Sequence, residues 1–103
     1  MPTRFQVDVT ASAERDLVAM RDHIAADNPA AARKWVAAVA RKIGSLGRFP
    51  LRHPVIPEAA LLGVDYRHLV TGSYRIVYRV AEERVIVIRV IHGAQLLAAP
   101  GSG

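Results

Sequence analysis

Residues 74–93 limit the possible folds of this chain more than any other stretch, because they predict a β-hairpin. Both halves are rich in β-branched and aromatic residues, which fit a pleated, half-buried surface. The one polar break, at residues 81–83, predicts a tight turn. The first strand has an apolar face and a face that carries guanidinium groups: Tyr74, Ile76, Tyr78 and Val80 alternate with Arg75, Val77 and Arg79.

The second strand of the hairpin alternates more weakly and is apolar on both sides. A hairpin this apolar needs a cover, which the rest of the chain has to supply. Simple alternation predicts that Ile86, Ile88 and Val90 point one way, and that Val85, Val87, Arg89 and Ile91 point the other.

Upstream of the hairpin, the pattern predicts a short strand and a first helix. Residues 4–9 alternate polar and apolar side chains, which is typical of a strand. Thr10 or Ser12 can cap a following helix, and Asp16 lies near the end where the helix dipole favours an acid. We expect this helix over residues 11–26, with a stripe made of Ala13, Leu17, Met20 and Ile24.

A second helix is predicted over residues 29–46. Asp27 or Asn28 can cap it, and Pro29 suits its first position, where no N–H is needed. The short link makes the two helices antiparallel neighbours, an αα-hairpin. The apolar residues of the second helix recur at spacings of three and four: Ala32, Trp35, Val36, Val39, Ile43 and Leu46.

The segment 47–64 contains three prolines and two glycines, which predicts a long connection without regular structure. Residues 65–70 then form a strand, and residues 71–73 form the turn into the hairpin. The predicted fold class is therefore α+β, in the order β-α-α-β-β-β. A mostly antiparallel sheet carries the αα-hairpin on one face and leaves its other face exposed. We expect one domain over residues 1–95 and a flexible C-terminal tail over residues 96–103.

Composition limits the function more loosely than it limits the fold. The chain has no cysteine, which excludes disulfides and thiolate chemistry. The N-terminus lacks the apolar core of a signal peptide, and no stretch reaches the roughly 20 apolar residues of a membrane span. We therefore expect a cytoplasmic protein without membrane contact. The net charge of +5 favours an acidic partner, either nucleic acid or an acidic protein segment, although a solvated surface explains it equally well.

Several motifs along the chain together resemble the ParE/RelE superfamily of bacterial toxins from type II toxin–antitoxin pairs. The resemblance covers nearly the whole chain and is most specific in the hairpin, where Gly-x-Tyr-Arg-Ile-Val-Tyr is followed by Ile-His-Gly. The matching stretches are residues 13–17, 28–32, 43–46 with Phe49 and Pro50, 66–69, 72–78 and 90–94.

The superfamily has two branches with different targets. The resemblance implies that a RelE-like member would cut mRNA on the ribosome, whereas a ParE-like member would act on DNA gyrase without being a nuclease. RNA cleavage needs a group that moves a proton and cations that hold charge on the phosphate. RelE-like nucleases supply lysines before the hairpin, the Tyr-Arg arginine, and a basic residue with a tyrosine after the last strand. Here only Arg75 matches, because Tyr66 and His68 occupy the lysine positions, Gln95 the basic one, and no tyrosine follows.

A second nuclease pattern in the superfamily is Glu–Arg–His–Tyr. His92 can stand for the histidine and Glu58 loosely for the glutamate, but Gly93 follows where a tyrosine is expected. These deficits favour a ParE-like gyrase inhibitor with no catalytic residues. The alternative is a RelE-like, ribosome-dependent mRNA endonuclease that uses Arg67, Arg75 and His92; a non-toxic interaction module is a third possibility.

The candidate residues for binding an antitoxin or target are cations at the hairpin and the strand before it. Each also has a structural explanation: Arg75 can pair with a nearby acid, and His92 can bond backbone at a strand end. The four histidines match no metal-ligand spacing, so no metal and no cofactor is expected. The candidates are Arg67, Arg75, Arg79, Arg89 and His92.

The expected partner is a cognate antitoxin. An exposed sheet edge and a groove beside an αα-hairpin suit an extended strand or an amphipathic helix. A basic toxin suits an acidic segment that folds on binding. The resemblance implies a small antitoxin with an acidic C-terminal segment and its own DNA-binding domain. Operator DNA would then be contacted through the antitoxin complex, while gyrase would be the target.

Overall fold

The two long helices and the strands follow the predicted order. A computed structural model describes residues 4–93 and 95; the predicted tail at residues 96–103 lies outside the described residues. The elements are β1 (Gln6–Val9), α1 (Ala11–Asp27), α2 (Pro29–Ser45), a 3-10 turn (Pro50–Arg52), α3 (Ala59–Leu62), β2 (Arg67–Thr71), β3 (Tyr74–Ala81) and β4 (Arg84–His92).

Both long helices begin at the caps that the sequence offers. The Thr10 hydroxyl accepts a hydrogen bond from the Ala13 N–H at 3.2 Å. The Asn28 side chain accepts one from the Ala31 N–H at 3.0 Å, and Pro29 occupies the first turn of α2. Asn28 alone links α1 to α2, which pack side by side as an αα-hairpin. No helix within residues 4–93 is both long and apolar enough to cross a membrane.

The four strands form one mixed sheet in the order β1-β4-β3-β2. The chain from β2 to β4 is an antiparallel meander, and β1 adds to β4 in parallel. The αα-hairpin covers one face, where the main core forms. Its buried residues are Ala13, Val39, Ile43, Leu46, Leu69, Tyr74, Ile76, Tyr78, Val85, Val87 and Val90.

A β-bulge in β4 makes the predicted simple alternation of that strand wrong. Val77 lies opposite Arg89 and Tyr78 lies opposite Val87, so Ile88 is the extra residue. One extra residue exchanges the two faces of a strand beyond that point. The bulge could not be predicted from the sequence, because β4 is apolar on both sides and either register buries apolar side chains. As a result Val85, Val87 and Val90 all face the helices, whereas Ile88 and Ile91 face away from them.

The second face of the sheet is covered, which corrects the prediction that it would be exposed. Residues 54–66 cross this face and place Ile56, Ala59 and Tyr66 against the sheet, with exposed fractions of 2%, 6% and 8%. Backbone bonds fix the segment to the edge of β2: the Ile56 N–H donates to the Tyr66 carbonyl at 2.8 Å, and the His68 N–H donates to the Pro54 carbonyl at 3.2 Å.

The prediction that residues 47–64 lack regular structure is also wrong. Pro50 opens the 3-10 turn, a position that does not need its missing N–H. The α3 helix occupies the proline-free stretch after Pro57 and ends at Gly63, whose φ of 73° is the left-handed conformation that glycine adopts easily. The prolines therefore delimit short helices instead of preventing them.

The free edge of β4 is sealed by residues at the start of α1. Because β1 pairs only with residues 84–87, the later backbone groups of β4 need other partners. The Thr10 hydroxyl donates to the Ile88 carbonyl at 3.1 Å. Asp16 Oδ2 accepts from the Val90 N–H at 2.9 Å and from Arg89 Nε at 2.7 Å. Asp16 therefore joins α1 to the sheet through two hydrogen bonds to one carboxylate oxygen.

We expect Asp16→Ala to lower the free energy of unfolding by about 1–3 kcal/mol, because the buried Val90 N–H loses its acceptor. Urea denaturation measures this change. Asp22→Ala is the matched control, since Asp22 lies on the same helix with 63% of its side chain exposed and pairs with the neighbouring Arg21. Equal effects of the two substitutions would contradict the role given to Asp16.

Candidate functional site

Arg75 is the centre of a buried polar cluster on the sheet face that residues 54–66 cover. Its guanidinium forms an ion pair with Glu58, and the two residues are only 4% and 8% exposed. Arg75 Nη2 also donates to the Gln95 carbonyl at 2.7 Å, and Nη1 lies 3.1 Å from His68 Nδ1. Arg75 Nε has no hydrogen-bond partner among the described residues. The guanidinium is thus engaged by three neighbours and has almost no contact with solvent.

His68 is held in one protonation state by this cluster. A guanidinium only donates hydrogen bonds, so His68 Nδ1 must accept and the ring proton must sit on Nε2. Burial lowers the pKa of His68, the nearby Arg75 charge lowers it further, and Glu58 opposes these effects in part. His68 therefore remains neutral below the pH at which an exposed histidine would gain a proton.

Arg67 fixes the 3-10 turn to the edge of the sheet. Its Nη1 donates to the His53 carbonyl at 2.7 Å and to the Leu51 carbonyl at 3.3 Å. Beside it, the Tyr78 hydroxyl donates to the Pro50 carbonyl. Burial raises the pKa of Tyr78 to about 12, against the effect of two nearby arginines. Tyr78 is therefore a neutral structural donor at physiological pH.

The three residues of the ribonuclease alternative are distributed over both faces of the sheet. Arg67 and His92 lie opposite Tyr78 and Tyr74 in the strand register, and both tyrosines belong to the helix-side core. Arg75 precedes Ile76 in β3 and takes the other face. Successive residues of a strand point to opposite faces, so the sheet separates Arg75 from the other two side chains.

Arg89 and Arg79, the remaining two predicted binding residues, differ in whether their side chains have a partner. Arg89 makes a two-point contact with Asp16, through Nε at 2.7 Å and Nη2 at 3.1 Å. Arg79 is half-buried on β3 and has no side-chain partner within the described part of the chain. Of the five predicted binding residues, His92 is the most exposed; it lies at the end of β4.

Two apolar grooves flank α2, and both are lined by Trp35. The larger one, about 680 Å³, lies between the helices and the end of the sheet where β3 begins and β4 ends. It is also lined by Met20, Tyr74 and His92. The smaller one, about 400 Å³, lies between β1 and the helices. Trp35 belongs to the apolar stripe predicted for the second helix; it packs edge-on against Tyr74 with ring centres 5.6 Å apart, yet it is only half-buried. We call these the Tyr74 groove and the β1 groove.

Sequence reasoning missed His68 and Asp16 as partners of the arginines. One signal for Asp16 was available: it lies one position from Leu17, within the apolar stripe of α1, where a charged side chain needs a partner. Glu58 carried no such signal, because it is 17 residues from Arg75 in a segment for which no regular structure was predicted. Within residues 4–93 and 95, no group of three or more acidic or histidine side chains is arranged to hold a metal ion.

Similarity to a known family assigns this chain to a class of small toxin proteins. The family description "ParE toxin of type II toxin-antitoxin system, parDE" matches residues 7–97. The chain therefore belongs to the ParE toxin family and is the toxin component of a type II toxin–antitoxin system, within the ParE/RelE superfamily. A search of curated proteins finds no match.

Two solved structures are similar to this chain. One is described as a chromosomal ParDE toxin–antitoxin system from P. aeruginosa; it shares 18% identity, covers 88% of this chain and 98% of its own, and has a TM-score of 0.68. The other is the toxin–antitoxin complex RelBE2 from Mycobacterium tuberculosis, with 29% identity, coverage of 86% and 98%, and a TM-score of 0.62. Both branches of the superfamily thus share this fold.

We expect a strong energetic coupling between Glu58 and Arg75. Glu58→Leu or Arg75→Met alone should each destabilise the protein by about 3–5 kcal/mol, because a buried charge loses its partner. The double variant should cost clearly less than the sum, since it leaves neither charge unpaired. Urea denaturation of the wild type, the two single variants and the double variant gives the coupling free energy between Glu58 and Arg75. The exposed pair Asp8 and Arg84 is the control cycle and should couple by about 0–1 kcal/mol.

Stability should decrease as the pH falls below about 6.5. The folded-state pKa of His68 is lowered, so between that pKa and about 6.5 unfolded chains bind a proton that folded chains do not. His53, whose pKa is lowered by burial and by the Arg52 charge, acts in the same direction. The contribution of these histidines to the free energy of unfolding is fully present above their pKa in the unfolded chain. It is lost as the pH falls through their pKa in the folded protein.

Urea denaturation between about pH 5 and pH 8 tests this dependence. His68→Asn should reduce the slope, because Asn can accept from Arg75 and does not titrate. His23→Asn, at an exposed site on α1, is the control and should leave the slope unchanged. A slope that survives the substitution of His68 would show that other groups cause it.

Proposed function

We propose that this toxin inhibits DNA gyrase in the bacterial cytoplasm by surface contact, without catalysis, and that a cognate antitoxin neutralises it. Membership of the ParE toxin family supports this branch over the nuclease branch. The observation that carries the proposal is the burial of Arg75, the only residue that clearly matches the RelE-like cationic set.

A phosphate-stabilising cation has to reach the phosphate. Arg75 is 4% exposed and already engages Glu58, His68 and the Gln95 carbonyl. Releasing it would require α3 to leave the sheet and would break the buried ion pair with Glu58, which costs several kcal/mol. The geometry therefore argues against Arg75 as a catalytic residue.

The ribonuclease alternative draws on one feature of the cluster. Glu58, Arg75 and His68 lie together, which is three of the four residue types in the Glu–Arg–His–Tyr pattern. However, His68 has to be an acceptor toward Arg75, and the histidine that the sequence comparison proposed, His92, lies on the opposite face. The cluster is better explained as the polar support that holds residues 54–66 on the sheet.

The antitoxin can use two features of the helix side. The Tyr74 and β1 grooves offer apolar surface to a helix or an extended segment. The strand β1 pairs with β4 alone in the described sheet, so its outer edge can accept another strand. The edge of β2, in contrast, is partly occupied by residues 54–56. The net charge of +5 suits an acidic partner.

Purified toxin mixed with gyrase and relaxed plasmid should inhibit supercoiling and trap gyrase on cleaved DNA. Adding the antitoxin encoded beside the toxin should restore supercoiling. Topoisomerase I serves as the specificity control and should be unaffected. Unchanged gyrase activity at stoichiometric toxin would contradict the proposed target.

Messenger RNA from cells that express the toxin tests the alternative in parallel. We expect intact messages when 5′ ends are mapped shortly after induction. Cuts phased to codons would overturn the proposal in favour of the ribonuclease, and Arg67→Ala or His92→Ala would then show whether those side chains take part.

A further inference from the structure

Charge is strongly segregated along this chain. Residues 28–57 contain six basic residues and no acidic one, between Asp27 and Glu58. Most of this excess lies on α2, which spans about 25 Å. The acidic residues of the αα-hairpin are all on α1. One helix of the pair is therefore mixed in charge, whereas the other is purely basic.

The four cations of α2 share the side of the helix that faces away from the core. At about 100° per residue, their directions fall within one half of the helix surface, and the buried residues Val39 and Ile43 fall within the other half. None of the four side chains has a hydrogen bond or ion pair to another described residue. We call this surface the α2 basic face; it consists of Arg33, Lys34, Arg41 and Lys42, all exposed.

The residues between these cations are small. Ala30, Ala37 and Gly44 lie on the same side of α2, and a Cβ atom at Gly44 would meet nothing within 4 Å. The surface thus lets a flat or convex partner approach the helix closely, with charge as its main attraction. It offers no large apolar side chain and no aromatic ring.

These properties distinguish between the possible acidic partners. A peptide that folds on binding has to bury apolar surface to offset its ordering entropy, and this face has little to offer. Single-stranded nucleic acid is held largely by stacking on aromatic side chains, which the face lacks. A duplex backbone requires only a rigid array of cations, because phosphate contacts position a protein without reading bases.

We propose that the α2 basic face binds the phosphate backbone of duplex DNA directly, independently of base sequence. This goes beyond the proposed function, which requires contact with gyrase alone and leaves operator DNA to the antitoxin. Arg and Lys in this arrangement replace condensed counterions along the DNA, so the affinity depends strongly on salt. The Tyr74 groove contacts α2 at Trp35, outside this face, whereas the β1 groove reaches Gly44 at its edge.

The test uses the purified full chain and a fluorescent duplex of about 20 base pairs, titrated at salt concentrations from about 50 to 200 mM. With four phosphate contacts, the wild-type affinity should fall about 100-fold over this range. Lys34→Gln/Arg41→Gln removes the two central cations, and its affinity should fall only about tenfold over the same range. At the lowest salt, the variant should already bind more weakly than the wild type.

The matched control is Arg15→Gln/Arg21→Gln, which removes the same charge from exposed positions on α1. We expect it to retain the wild-type affinity and salt slope. Circular dichroism of both variants confirms that the helices remain intact, since Gln is a good helix former. Because no gyrase is present, the result does not depend on the proposed target.

Three outcomes would overturn the proposal. The first is no duplex binding at the lowest salt. The second is an equal loss in both double variants, which would mean that net charge alone attracts DNA. The third is that Lys34→Gln/Arg41→Gln weakens binding of a polyglutamate peptide and leaves duplex binding unchanged, which would assign the face to an acidic protein segment instead.

Discussion

The ion pair between Glu58 and Arg75 is the interaction on which the second half of the structure depends. Arg75 lies on a strand whose two faces are both buried, so its charge needs a partner that is buried with it. Glu58 supplies that partner from just before α3, and the pairing lets Ile56, Ala59 and Tyr66 close over the sheet. Without it, a charged residue would lie under an apolar cover.

A similar arrangement operates on the neighbouring strand, where Asp16 joins α1 to β4. In both places one carboxylate bridges an irregular or helical segment and a strand that is distant in the sequence. The two arginines that most resemble binding residues in the sequence, Arg75 and Arg89, are the ones bound by these acids. Both guanidinium groups are occupied by contacts within the protein, which agrees with a toxin that acts by contact.

The sequence predicted what local signals determine and missed what depends on distant contacts. Asn28 and Pro29 placed the helix boundary within one residue, because capping and proline geometry act locally. The bulge at Ile88 was not predictable, because Val and Ile on both sides of β4 satisfy either register. The cover over the second face was missed because it depends on the pairing of Glu58 with Arg75.

The single-residue link between the helices has a mechanical consequence. The Asn28 N–H closes α1 by donating to the Ile24 carbonyl at 3.0 Å, while its side chain opens α2 at Ala31. One residue thus serves both helix ends and leaves no slack between them. A tilt of either helix at this end would therefore disturb the hydrogen bond that caps the other.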